Sequence, residues 1–249
     1  MIPLRDINPT RRFPILTIVL IGINVLVFLY QQSLPERALE NFVFRFGMQP
    51  AFVLSDFDQY GYTLVTSMFL HGDWLHIGSN MLYLWIFGNN IEDRLGLLRY
   101  LLFYFITGFA AGGAQIAIDP GSTVPNIGAS GAIAGVLGAY VVLFPRARVQ
   151  TLIFLFYFIQ IVEVSAGVLL GWWFLLQVIS GLVDLGAGPG GAAQGGIAFF
   201  AHIGGFVTGW LLIRIFAVGR PARQRREDVL IPNIDDIFQP GRRKDRWWD

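Results

Sequence analysis

No cysteine occurs in the 249 residues, so disulfides, thiolate metal sites and a cysteine nucleophile are all excluded. Charge is scarce as well. Asp, Glu, Lys and Arg make up 14% of the chain, where a soluble domain carries about 25%. The formal net charge of +1 asks for no acidic partner and no nucleic acid. Histidine is limited to three positions, His71, His76 and His202. Apolar residues fill the space that charge leaves: 54% of the chain is hydrophobic and the mean hydropathy is +0.55. The composition is that of a membrane protein.

About 20 apolar residues are needed to cross some 30 Å of hydrocarbon as a helix. Six segments approach this, at 13–31, 75–90, 98–118, 126–144, 151–182 and 197–217. The expected fold is therefore an all-α polytopic membrane protein with six transmembrane helices. The second span is short. The fifth is overlong and is expected to begin with an interfacial stretch over 151–160. Arg5, Arg11 and Arg12 precede the first span, which is too long for a signal-peptide core and has no small-residue cleavage site after it, so it is read as a retained span. The expected layout is an N-terminal segment over 1–12, a membrane domain over 13–218, and a charged, disordered tail over 219–249.

Basic residues orient the spans. With both termini cytoplasmic, only Arg37 and Arg45 of the 18 Lys and Arg fall outside. The positive-inside rule then puts the N-terminus, the tail and the turns holding Arg94, Arg99, Arg146 and Arg148 in the cytoplasm. The first outer loop, about 32–74, carries apolar residues of its own and is expected near the membrane interface. The last, Val183 to Gly196, is glycine-rich and expected to be mobile.

In this orientation the second, fourth and sixth spans all run inward, and each carries polar residues near its outer start. His76 and Asn80 lie on the second, Ser130 on the fourth and His202 on the sixth. Each has a plain structural reading. A serine in a membrane helix commonly bonds to its own backbone, and the spacing of His76 and Asn80, four apart on one helical face, also suits a structural hydrogen bond. Gly128, Gly131, Gly135 and Gly138 read first as packing positions. The joint pattern favours chemistry, because polar groups at one depth in a membrane are expensive. Backbone N–H groups at a helix start stabilise an oxyanion, and Asn80 and His76 can donate to it. Gly205 and Gly209, three and seven residues after His202, would let the sixth helix approach the fourth at Gly131 and Gly135. That approach brings an imidazole to a serine hydroxyl.

The segments "HGDWLHIGSN", "GNNIEDRLG", "GASG" and "AHIGG" resemble the motifs of the rhomboid family of intramembrane serine proteases, across residues about 12–218. The resemblance implies a six-helix rhomboid-like bundle with no cofactor, acting on transmembrane protein substrates in the lipid. It implies Ser130 as nucleophile and His202 as general base, a dyad with no acidic third member. His76 and Asn80 match the oxyanion-stabilising pair, His71 a structural histidine, and Glu92 with Arg94 a pair that organises the cytoplasmic turn. Two positions depart from the pattern. Ala134 stands where some members carry an aromatic that stacks on the catalytic histidine, so His202 must be held otherwise. Tyr62, ahead of Thr63, stands where the family has Trp. The compact form further suggests a prokaryotic cytoplasmic membrane.

Two other readings compete. Three histidines could hold a zinc with an open position, although "HGDWLH" is not HExxH and Asp73 sits in an expected turn. A catalytically inactive, membrane-protein-binding relative would be expected to have lost Ser130 or His202, and both are present.

Overall fold

A computed structural model describes residues 1–155, 158–186 and 198–219. Met1–Val218 forms one compact unit. Its described residues are mostly helical, and four helices among them are long and apolar enough to cross a membrane: α1 (Ile15–Ser33), α8 (Leu97–Ile118), α10 (Ala166–Gly186) and α11 (Phe199–Phe216). Between α1 and α8 come short helices in the first loop, α2 (Glu36–Phe46), α3 (Pro50–Ser55), α4 (Phe57–Tyr60) and α5 (Thr63–Thr66). They are followed by α6 (Trp74–Tyr83) and α7 (Asn89–Leu95), which a π-helical segment at Leu84–Gly88 joins into one helical run. The second apolar segment therefore extends to Leu95, beyond the 75–90 expected.

The helix α9 (Ser130–Leu143) lies at the centre, with every residue from Gly131 to Tyr140 buried. It packs against α8 and α11, and its 14 residues make it the shortest apolar helix of the core. Glycines set its distance from α11. A Cβ placed on Gly205 or Gly209 would land on the carbonyl oxygen of Gly131 or Gly135, and one on Gly138 on that of Phe206. The two backbones are in direct contact, as small-residue seams allow.

The expectation of an all-helical chain needs correction at its fifth span. Residues Arg148–Leu155 and Phe158–Ser165 are strands β2 and β3 of an antiparallel pair, and the helix starts only at Ala166. The N-terminal strand β1 (Ile2–Asp6) adds to the free side of β2, giving a three-stranded sheet in the order β1-β2-β3. Hydropathy hid this. The run is rich in Val, Ile, Thr and Phe, which favour strands, and Gln150, Gln160 and Glu163 interrupt it. Val149 and Thr151 alternate with the more exposed Arg148 and Gln150, the period of a half-buried strand.

Hydrogen bonds gather the helix ends. The Glu92 carboxylate accepts from the backbone N–H of Leu16 and Thr17, at 2.9 and 2.8 Å, and from the Thr17 hydroxyl at 2.8 Å. It thus caps the start of α1 from α7, where a helix has free N–H groups and a positive dipole end. Asp93 accepts from the backbone of Arg11 and Arg12. The Arg99 guanidinium donates to the Phe216 and Val218 carbonyls at the end of α11. Tyr140, near the end of α9, donates to Asp6 of β1 at 2.7 Å. The sheet and these caps occupy one end of the bundle. The first four residues of the expected glycine-rich loop, Val183 to Gly186, are instead the end of α10, and the rest of that loop and the charged tail from 220 on lie outside the described residues.

Candidate active site

At the opposite end, the starts of α6, α9 and α11 open on a cavity of about 570 Å³ lined by His76, Asn80, Ser130, Trp173 and His202. Ser130 is the first residue of α9, after Ala129. The first internal bond of that helix is donated by Ile133 to the Ala129 carbonyl. The N–H groups of the first turn, that of Ser130 among them, are thus the ones without a helical partner. The sequence had placed Ser130 one turn inside the span; the helix begins at the serine instead.

His202 sits near the start of α11 and is 9% exposed. Its Nε2 lies 2.7 Å from Ser130 Oγ and its Nδ1 lies 2.8 Å from Gln177 Oε1 on α10. A side-chain carbonyl can only accept, so Nδ1 carries the proton, and Nε2 is left to accept from the serine hydroxyl. The Gln177 amide is oriented consistently, its Nε2 donating to the Trp173 carbonyl at 3.5 Å. Trp173 also packs against the imidazole, with ring centroids 5.8 Å apart and 37° between planes. Both partners belong to α10. The sequence reading missed Gln177; the signal was an amide in the middle of a largely apolar span.

His76 is positioned by its own helix start. Asp73 caps α6 by accepting the His76 N–H at 2.8 Å, and so serves as a cap. The Gly72 N–H donates to His76 Nδ1 at 3.3 Å, which leaves the ring proton on Nε2. That nitrogen faces Gly128, whose φ of +126° suits only glycine. A Cβ there would sit 2.8 Å from His76 Nε2 and 3.5 Å from Ser130 Oγ. Glycine therefore keeps open the space between the donor and the hydroxyl. Asn80 is buried and gives one amide hydrogen to the His76 carbonyl at 3.0 Å. The second hydrogen of that amide is the one available to a group in the cavity.

The loop before α9 is clamped from the first loop. Met48 and Asn126 exchange backbone bonds at 3.0 and 2.8 Å, and the Gly128 N–H donates to the Ser67 carbonyl at 2.9 Å. Tyr62, where the family pattern has Trp, donates its hydroxyl to the Arg45 carbonyl at 2.8 Å. His71 is 1% exposed, and its backbone N–H and carbonyl are both paired with the Gln31 side chain at 3.1 Å. Burial, with the neighbouring His76, pushes its pKa down to about 4, so it is neutral at physiological pH. The His71 and His76 rings meet edge-on at 5.0 Å. Among the described residues no three of His, Cys, Asp and Glu are grouped to hold a metal ion. The zinc alternative thus lacks a ligand set there, and His202 is committed to Ser130 and Gln177.

Trp173 and Phe174 of α10 pack on α11: Phe174 stacks on Phe206 at 4.4 Å, and Trp173 lies against His202 and Phe206. Trp172 is half exposed.

The rhomboid domain family matches residues 58–218, which include all of these cavity residues. The chain belongs to the rhomboid family. It is an integral membrane protein, and Rhomboid protein 1, mitochondrial, of Saccharomyces cerevisiae is 33% identical to it over 144 residues, 54% of this chain and 38% of the yeast protein. Rhomboid protease GluP of Bacillus subtilis is 30% identical over 195 residues, 72% of this chain and 36% of the bacterial protein. Rhomboid-like protein 11, chloroplastic, of Arabidopsis thaliana is 27% identical over 172 residues, 67% of this chain and 56% of the plant protein. The chain thus spans between about a third and just over half of these curated relatives. Their names point to mitochondrial and chloroplast as well as bacterial settings, so membership of the family carries no prokaryotic address.

Proposed function

We propose that this rhomboid protein is an intramembrane serine endopeptidase that cleaves transmembrane or juxtamembrane segments of other membrane proteins. The observation that carries this reading is the 2.7 Å contact between Ser130 Oγ and His202 Nε2, made at a cavity whose wall also carries His76 and Asn80. In this reading the Ser130 hydroxyl attacks the scissile carbonyl and His202 takes its proton as general base. The oxyanion that forms meets the N–H of Ser130, the Asn80 amide and His76 Nε2–H, donors fixed in place before the reaction. His202 then delivers its proton to the leaving amine, and water in the cavity hydrolyses the acyl-enzyme.

Six membrane helices follow when Trp74–Leu95 and Ser130–Leu143 are counted beside the four long spans. The arginine distribution supports placing the sheet end in the cytoplasm and the cavity on the outer side. A substrate helix must unwind before its peptide bonds are accessible, and its freed backbone groups are costly in lipid. Segments with small or helix-breaking residues near the outer surface are therefore the favoured substrates.

Labelling of the purified protein with a fluorophosphonate probe tests the reading. Wild type should label, Ser130→Ala should not, and a chelator should leave labelling unchanged. A wild-type protein that refuses the probe while fully folded would instead be an inactive rhomboid-like binder of membrane proteins.

A further inference from the structure

We propose that Gln177 is a positioning residue for His202: its side-chain carbonyl holds Nδ1–H and thereby turns Nε2 toward the serine as an acceptor. The proposal rests on the reading of Ser130 and His202 as the catalytic pair. A neutral imidazole carries one ring proton, and only the Nδ1 tautomer can take a proton from Ser130 at Nε2. Two observations bear on which tautomer is held. Gln177 Oε1 lies 2.8 Å from Nδ1, an ordinary hydrogen-bond length, and the Gln177 amide nitrogen is turned away toward the Trp173 carbonyl of its own helix. The flipped amide would set an N–H against the ring and lose that bond.

The position also accounts for Ala134, which sits where an aromatic could have stacked on the imidazole from α9. Here the ring is held from α10, by a tilted contact with Trp173 and, one turn later, by Gln177 at its Nδ1 edge. The support for the base thus comes from a different helix than the serine. As His202 becomes an imidazolium during attack, the bond to Gln177 becomes charge-assisted and stronger, so the gain falls in the transition state. It follows that His202 is oriented only while α10 stays docked on α11. Displacing α10 would release the base as well as open the cavity.

Three full-length variants test this, purified alongside wild type: Gln177→Leu, Gln177→Met and Gln177→Glu. Each is assayed for the rate of fluorophosphonate labelling at Ser130, for kcat and KM on a transmembrane model substrate, and for thermal midpoint. The small probe does not need lateral entry, so its rate reads the serine–histidine pair separately from substrate access. Leu and Met should slow labelling and lower kcat by roughly 10–100-fold, by analogy with the loss seen when a residue that orients a metal-ligating histidine is removed, with KM little changed. Glu keeps an oxygen that can accept from Nδ1–H and should stay within several-fold of wild type. Wild-type labelling in Gln177→Leu would overturn the proposal. So would equal loss in all three variants, which would mean that packing matters and the acceptor does not. Should Leu unfold, the near-isosteric Met variant carries the comparison. Failure of the catalytic reading itself would look different, with wild type and Ser130→Ala behaving alike toward the probe.

Discussion

Replacing Gly205 by alanine adds one methyl group at a place where the structure leaves none. The Cβ would fall on the carbonyl oxygen of Gly131, the residue after the serine, and its next neighbour would be the Gly131 carbonyl carbon at 3.0 Å. Both are backbone atoms of a buried helix, so neither can swing aside. Helices α9 and α11 would have to part by on the order of 1 Å to restore an ordinary contact distance. The bond from Ser130 to His202 crosses this same seam at 2.7 Å and would lengthen past 3.5 Å, the point at which it ceases to be one. A misplacement of about 1 Å at a reacting group can cost about 10²-fold in rate, and forcing a methyl into a packed core costs about 1–3 kcal/mol. Helix propensity works the other way, since alanine is better than glycine by up to about 1 kcal/mol. Gly113→Ala isolates that term, because a Cβ at Gly113 of α8 meets nothing within 4 Å. The expected result is a labelling rate for Gly205→Ala about 10²-fold below wild type with a lowered thermal midpoint, and no loss in Gly113→Ala. A Gly205→Ala protein labelled at the wild-type rate would refute the seam as the device that sets the serine–histidine distance.

Two further outcomes follow from the site and the charge pattern. Asn80→Ala removes a side-chain donor from the developing oxyanion and should lower kcat by about 10²–10³ with little change in KM; a rise in KM alone would make Asn80 a substrate-binding residue. Because the chain has no cysteine, single cysteines report topology without background. Gly121→Cys, exposed between α8 and α9, should react with an impermeant thiol reagent added outside intact cells, and Arg146→Cys, exposed after α9, should not. The reverse pattern would put the cavity on the cytoplasmic side.

The helical spans were legible because apolar length is a strong signal, and their bounds at α1, α8 and α11 lie within a few residues of those read from hydropathy. The fifth span was misread because hydropathy does not distinguish a buried strand from a helix. Only β-branched content and the two-residue alternation around Val149 and Thr151 carried that information. The four polar residues of the site could be picked out because a polar side chain in an apolar span needs a reason. Gln177 needed the same reason and was passed over, since it lies in mid-helix, away from the outer span starts where the others were found. The closure of α9 on α11 was readable from the glycine spacing. The caps of α1 by Glu92 and of α11 by Arg99 were not, because they join residues 75 or more apart in sequence and nothing local announces them.

The length of α9 fixes how deep the serine lies. Fourteen residues at 1.5 Å each make a helix of about 21 Å, against roughly 30 Å of hydrocarbon. In the proposed topology, with Leu143 set at the inner boundary, Ser130 would lie some 9 Å short of the outer one, about six helical residues deep at 1.5 Å per residue. A hydrolytic centre at that depth would face two demands. Water must reach it, and His76, Asn80 and Ser130 on the wall of the 570 Å³ cavity are the polar partners such water would need. The substrate must also surrender helical hydrogen bonds over those same turns, in surroundings where each unpaired N–H or C=O is expensive. A segment already broken near its outer end, or ending there, has least to surrender. In the proposed function, cleavage would therefore be directed to the outer turns of a transmembrane segment by the length of one helix, before any side-chain pocket selects among sequences.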